Sequence, residues 1–371
     1  MTTTTPNHTI SILSPGRICL FGDHQDYLEL PVIACAIDRY IRLRATPNNR
    51  EVFHILMPDL EIERTINYSV DEVSADMRDY FLSVLRVLKR NGVMPNRGYD
   101  ISISGNIPIN AGLSSSSALV AAWVLFLHEA FGNGKTVSSE QIARQTYEAE
   151  VLEYNEPGGL MDQYTISLGN VLLIDTCQPV RVETLSNSLK GLVIGESGIP
   201  KETLGVLSEL RTLALESIDW VRIAYPGFSI QNCALKEADK FVEAVPDNLK
   251  PYFLAAVENH HITRLAVEEL RRSYPDLEKI GKLMTQHHNI LRDKLGVTVP
   301  KIDKMIRVAL QAGAFGAKIV GSGGGGCIVA LCPKERKEAV IEALKNMDAN
   351  AYKVSVDEGA RVVRDWNNND F

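Results

Sequence analysis

The chain reads as an α+β protein of two domains, and three observations carry that reading. Its 371 residues exceed what one ordinary hydrophobic core serves, so two cores are expected. The N-terminal half mixes strand-like runs and helices antiparallel-fashion, without the regular alternation of a doubly wound sheet. Beyond about Asn187 the pattern turns mainly helical, with a few short apolar strands. The division expected from this shift is 1–186 and 187–371.

In chain order, Thr9 to Leu13 alternates weakly, Pro15-Gly16 makes a turn, and Ile18 to Phe21 is a second apolar strand ending at Gly22. Val32 to Ile37 and Tyr40 to Arg44 are β-branched or alternating and predict two more strands. Asp79 to Gly92 has helical apolar spacing, and Tyr99 to Ser104 alternates as a strand. A long apolar helix then runs from a serine cluster to about Phe131. Ser138 caps a further helix that continues past Glu150 until Asn155 to Gly159 breaks it. Asn170 to Asp175, Leu192 to Gly195, Ala317 to Val320, Cys327 to Leu331 and Tyr352 to Val356 are the remaining strands. There is no internal repeat or low-complexity tract.

Composition excludes several classes of function. Hydrophobic residues at 45% and charged residues at 23% are ordinary globular usage, which excludes a fibrous or disordered chain. A net charge of -7 without a Lys/Arg run argues against nucleic acid or an anionic membrane as partner. No apolar run is long enough to span a bilayer and the start lacks a signal-peptide pattern, so a cytoplasmic location is expected. The six cysteines show no C-x-x-C spacing and read as small buried hydrophobes.

Four segments carry chemistry. Gly112-Leu113-Ser114-Ser115-Ser116-Ser117-Ala118 sets a glycine turn and hydroxyls against a helix start, where unpaired N–H groups and the helix dipole favour phosphate. Alone, it is most simply a Ser-capped helix. Gly321 to Gly326 formally matches G-x-G-x-x-G, but a β-rich run follows instead of a helix, so the dinucleotide reading fails. A hairpin open to close approach by backbone or ligand remains. Gly134-Lys135-Thr136 is no phosphate loop either, because Glu129 stands where the upstream glycine belongs. Arg17, Asp23, His24 and Asp26 gather a cation, two carboxylates and an imidazole near a strand end, a set suited to hydroxyl recognition or to an exposed turn. Asp162, just after a Pro/Gly turn, is either a helix-start charge or a base, and Glu150 by itself is a surface helix acid.

Taken in order, Pro-Gly-Arg-x-x-Leu-x-Gly-Asp-His, Gly-Leu-Ser-Ser-Ser and Gly-Ser-Gly-Gly-Gly-Gly resemble the three signature motifs of the GHMP kinases, named for galactokinase, homoserine kinase, mevalonate kinase and phosphomevalonate kinase. The resemblance covers nearly the whole chain, extends to Leu283 to His288 and Gly313 to Lys318, and looks most like galactokinases through His24-x-Asp26-Tyr27 and Pro157 to Gln163. It implies a ribosomal-protein-S5-domain-2-like N-terminal domain and a ferredoxin-like α/β-plait C-terminal domain. It further implies an ATP-dependent sugar kinase with Asp162 catalytic and Arg17 paired to it. Glu150, twelve positions upstream of Asp162, falls at the family's Mg²⁺ carboxylate, with the Ser116 hydroxyl as second ligand in a register uncertain by one residue. Gly112 to Ala118 would bind the nucleotide, and Asp23, His24, Asp26, Gly159, Asp162, Gly323 and Gly324 the sugar, with transfer to the anomeric 1-OH. The expected partners are ATP and a small sugar, the chain being a monomer or weak homodimer. Two departures stand out: Asp23 replaces the family's longer Glu, and Leu28-Glu29-Leu30 stands where Asn-Gly-Gly is common. A mevalonate-type alcohol kinase and a non-catalytic sugar sensor are the competing readings.

Overall fold

The computed structural model describes residues 8–68, 78–185, 189–201 and 204–364. Its first sheet starts with β1 (Ile10–Phe21) and β2 (Val32–Pro47), each a single continuous strand where the sequence suggests two. Pro15 cannot donate to a sheet ladder, and the strand accommodates it with a register shift at Pro15/Gly16 instead of ending there. β3 (Val52–Met57), β4 (Ile62–Asn67), β5 (Tyr99–Gly105), β6 (Val171–Asp175) and β7 (Arg181–Thr184) complete most of this sheet. β2 is long enough to pair β5 at Ile41–Pro47 and β6 at Val32–Cys35.

The second sheet comprises β8 (Leu192–Glu196), β9 (Gly316–Ile319), β10 (Cys327–Leu331) and β11 (Asn350–Val354), in the order β11-β8-β10-β9 and antiparallel throughout. With helices between β8 and β9 and between β10 and β11, this is the βαββαβ order of a ferredoxin-like plait. β12 (Arg361–Val362) returns to pair with β1, so the first sheet runs β12-β1-β2-β5-β3-β4 with β6 and β7 off β2.

The helices are α1 (Tyr80–Arg90), α2 (Ser115–Phe131), α3 (Ser139–Glu150), α4 (Met161–Leu168), α5 (Leu204–Ala224), α6 (Ala238–Val242), α7 (Lys250–Leu270), α8 (Leu277–Asp293), α9 (Pro300–Gln311) and α10 (Lys337–Lys345). α1 and α3 begin at conventional caps: Asp79 accepts from the Leu82 N–H at 3.2 Å and Ser138 from the Gln141 N–H at 3.2 Å. α3 stops at Glu150, earlier than its pattern suggests, and passes into a short 3₁₀ turn. α2 is apolar nearly all round because it is enclosed on both sides, packed on β1 and β2 and covered by α1 and α3. Trp123 and Phe126 join Phe53 and Tyr99 in edge-to-face contacts of 5.1–6.2 Å, and this cluster fixes the axis of α2. Its N-terminus is thereby held at the cleft between the sheets. Five of the cysteines are buried as expected, whereas Cys177 is only partly so. Among the described residues no helix is long and apolar enough to cross a membrane.

Candidate active site

A cavity of about 370 Å³ opens where α2, α4, the end of β1 and the β9–β10 hairpin meet. Its anchor is Arg17, placed on β1 just past the irregular step at Pro15/Gly16. There the Arg17 N–H donates to the Leu113 carbonyl at 3.1 Å, tying the strand to the loop before α2. The guanidinium grips Asp162 with two parallel bonds, Nε to Oδ1 at 2.7 Å and Nη2 to Oδ2 at 2.6 Å, and donates from Nη1 to the Gly112 carbonyl at 2.5 Å. Asp162 sits in the first turn of α4, its side chain about a quarter exposed to the cavity.

Ser114 does not cap α2. It stands in the left-handed region at φ 60° and makes no cap bond; its hydroxyl donates instead to Asp162. Burial raises the Asp162 carboxyl, but the charge and hydrogen bonds of Arg17 and Ser114 outweigh it and hold the group below its ordinary value. Asp162 is therefore ionised at neutral pH.

Ser115, Ser116 and Ser117 line the cavity beside Glu150, whose Oε2 accepts from Gln163 at 2.8 Å. Burial raises Glu150 above its ordinary value, partly offset by hydrogen bonds from Gln163, Ser117 and Ser116. A buried carboxylate with hydroxyls is an all-oxygen donor set of the kind Mg²⁺ takes, with the remaining positions left to phosphate and water. Leu113 and Ala118, expected at the nucleotide, have their side chains in the core.

The loop after β1 divides its acids. Asp26 lines the cavity and lies so close to Gly159 that a Cβ there would fall 1.9 Å from Oδ2, so only glycine fits. Burial, then the Asp162 charge, lifts Asp26 to about 6. Asp23 also borders the cavity but is buried and paired: Oδ2 accepts from the Lys318 ammonium at 2.7 Å and Oδ1 from the Gly321 N–H at 3.0 Å. His24, at φ 63°, keeps Nδ1 within 3.2 Å of the Tyr27 hydroxyl. Gly321 and Ser322 are the hairpin residues on the cavity wall, whereas Gly323 and Gly324 turn toward Val297, with Gly324 N–H donating to its carbonyl at 2.9 Å.

Sequence reasoning passed over Lys201, Arg78, Tyr80 and Ser322, all of which line the cavity. Lys201 follows β8, and a Cβ on Gly321 would lie 3.0 Å from its Nζ. Burial, then the neighbouring Arg17 charge, lowers Lys201 to about 8. A single lysine in a loop has no pattern around it; only the approach of β8 to the phosphate loop reveals it.

Residues 79–170 match the GHMP kinases N terminal domain, residues 266–350 the GHMP kinases C terminal domain, and residues 4–47 the galactokinase galactose-binding signature. The chain is 30% identical to a galactokinase of Clostridium perfringens (strain SM101 / Type A), over 92% of this chain and 89% of that protein. It is 27% identical to a mevalonate kinase of Thermococcus onnurineus (strain NA1), over 94% and 97%. Its fold superposes on the crystal structure of Lactococcus lactis galactokinase complexed with galactose with a TM-score of 0.84, at 22% identity and 95% coverage of both chains. Fold and relatives together define an ATP-dependent kinase that phosphorylates an alcohol. The chain belongs to the GHMP kinase family, as a galactokinase-like member.

Proposed function

We propose that the chain transfers the γ-phosphoryl group of ATP to the anomeric 1-OH of a monosaccharide. The observation that carries this is Asp162: a carboxylate clamped by Arg17 and Ser114, facing a cavity between the α2 N-terminus and the hydroxyl-binding groups Asp26 and His24. The triphosphate lies along Gly112 to Ser117, where the α2 N–H groups meet its charge. Glu150 and Ser116 would hold Mg²⁺, which supplies charge neutralisation at the phosphates. The sugar oxygen forms its bond to the γ-phosphorus as the bond to the β–γ bridging oxygen breaks and ADP leaves.

Asp162 is a weak base because Arg17 holds its pKa down, so in the ground state it orients the sugar O–H and receives the proton only as the new P–O bond forms. Arg17 fixes the carboxylate and, with Lys201, adds positive charge near the transferring group.

The test is a panel of monosaccharides, with mevalonate included, offered with MgATP while ADP release and the position of the new phosphate are read. One aldose accelerating ADP release and returning as its 1-phosphate is the expected result. Turnover on mevalonate alone would assign the chain to the other alcohol class, and sugar binding without any ADP release would make it a sensor.

A further inference from the structure

The mechanism uses His24 as a hydroxyl-binding group but leaves its neighbour on the cavity wall, Ser322, without a role. Ser322, in the hairpin between β9 and β10, and His24, on the loop after β1, both line the cavity, and each residue is only 8% exposed. The Ser322 backbone runs alongside the imidazole, yet both Ser322 Oγ and His24 Nε2 are buried with no partner in hydrogen-bond geometry. Unpartnered buried polar atoms are rare, and two side by side on a cavity wall call for a ligand. Asp23, also on the cavity lining, accepts from Lys318 and from the Gly321 N–H. Lys318 is saturated, donating also to the carbonyls of Cys19 at 3.0 Å and Ile319 at 2.7 Å.

We infer that Ser322, together with His24, reads one neutral hydroxyl of the sugar acceptor, making Ser322 a specificity-determining residue supplied by the glycine hairpin. The inference rests on the sugar-kinase reading above. A hydroxyl donates one hydrogen bond and accepts another, and a serine and a neutral imidazole together offer both roles. The His24 ring stays neutral across physiological pH, because burial and the nearby Lys201 charge hold it near 4. Rotation about the single Ser322 χ1 presents its hydroxyl to the sugar.

The experiment measures KM for the accepted sugar and for each of its singly deoxygenated analogues, with the intact chain, Ser322→Ala and Ser322→Gly. In the intact chain one analogue should be penalised about tenfold, the worth of one hydrogen bond in such a site. That penalty should vanish in both variants, while KM for the parent sugar rises about tenfold and KM for ATP does not follow. Equal penalties for every analogue in all three proteins would overturn the inference. Thermal midpoints of the variants, and His24→Asn, which tolerates the left-handed backbone, separate loss of recognition from loss of fold. Sugar-dependent ADP release by the intact chain stands or falls independently of these comparisons; its absence with every sugar defeats both readings.

Discussion

Two aspartate–cation pairs flank the cavity, and they have opposite fates. Asp23–Lys318 is sealed, with side chains 1% and 0% exposed, and each oxygen of Asp23 is consumed by a donor. Asp162–Arg17 is chemically similar, but the Asp162 side chain is 26% exposed while its arginine is 4% exposed. A paired carboxylate with almost no exposed surface serves to fasten; one held from behind, with a quarter of its side chain open to the cavity, can also react. The first pair stitches the loop after β1 to the β9–β10 hairpin of the other sheet, and the second faces the cavity.

The sharpest way to break this comparison is at the open pair. Asp162→Asn should lower kcat by ~10²–10⁴-fold while ATP binding, followed by calorimetry, is retained. Turnover within tenfold of the native chain would remove Asp162 from the reaction. At the sealed pair the loss should be in folding: Lys318→Met strands a buried carboxylate, at a cost of about 3–5 kcal/mol in urea unfolding. Adding Asp23→Asn should recover much of that loss, and failure to recover would mean that the pair does not act as a unit.

Acid sharpens the same contrast. Burial raises Asp23, but Lys318 and then His287 outweigh it and bring it from 3.8 to about 2. A depressed carboxyl adds stability above its unfolded value, so this contribution is whole above pH 3.8 and drains away as pH falls through about 2. Urea midpoints across that window should fall less for Asp23→Asn than for the native chain. The smallest effect is alkaline: Lys201, near 8, loses its charge as pH rises through that value, and kcat/KM should decline with it. Lys201→Arg, which keeps its charge, should move that limb upward; an unmoved limb would assign the titration to another group.

Local pattern made much of this legible. The helix starts at Asp79 and Ser138 are where capping chemistry puts them, and the glycine run lies in a β-hairpin because strand-like residues flank it on both sides. β3 alternates buried positions with half-buried or exposed ones from Val52 to Met57 and could have been read, whereas polar β4 owes its existence to pairing with β3. What stayed hidden was tertiary. Ser114 looks like a cap until Asp162, 48 residues away, takes its hydroxyl, and nothing around Asp23 in the sequence announces its pairing with Lys318, 295 residues away. Gly323 and Gly324 were expected against substrate; Gly323 makes room for the Val297 backbone, and the Gly324 N–H donates to the Val297 carbonyl.

β12 has a bearing on any attempt to dissect the chain. Arg361 and Val362 lie along the outer side of β1, and Val356 and Glu358 bridge to Ile37 and Gly169 on the way there. A fragment cut between the two sheets would therefore carry an exposed strand margin where β12 belongs, ready to capture another copy or a stray peptide. Expressing the halves separately invites aggregation, whereas supplying the missing tail in trans offers a route to a split enzyme that reassembles on demand.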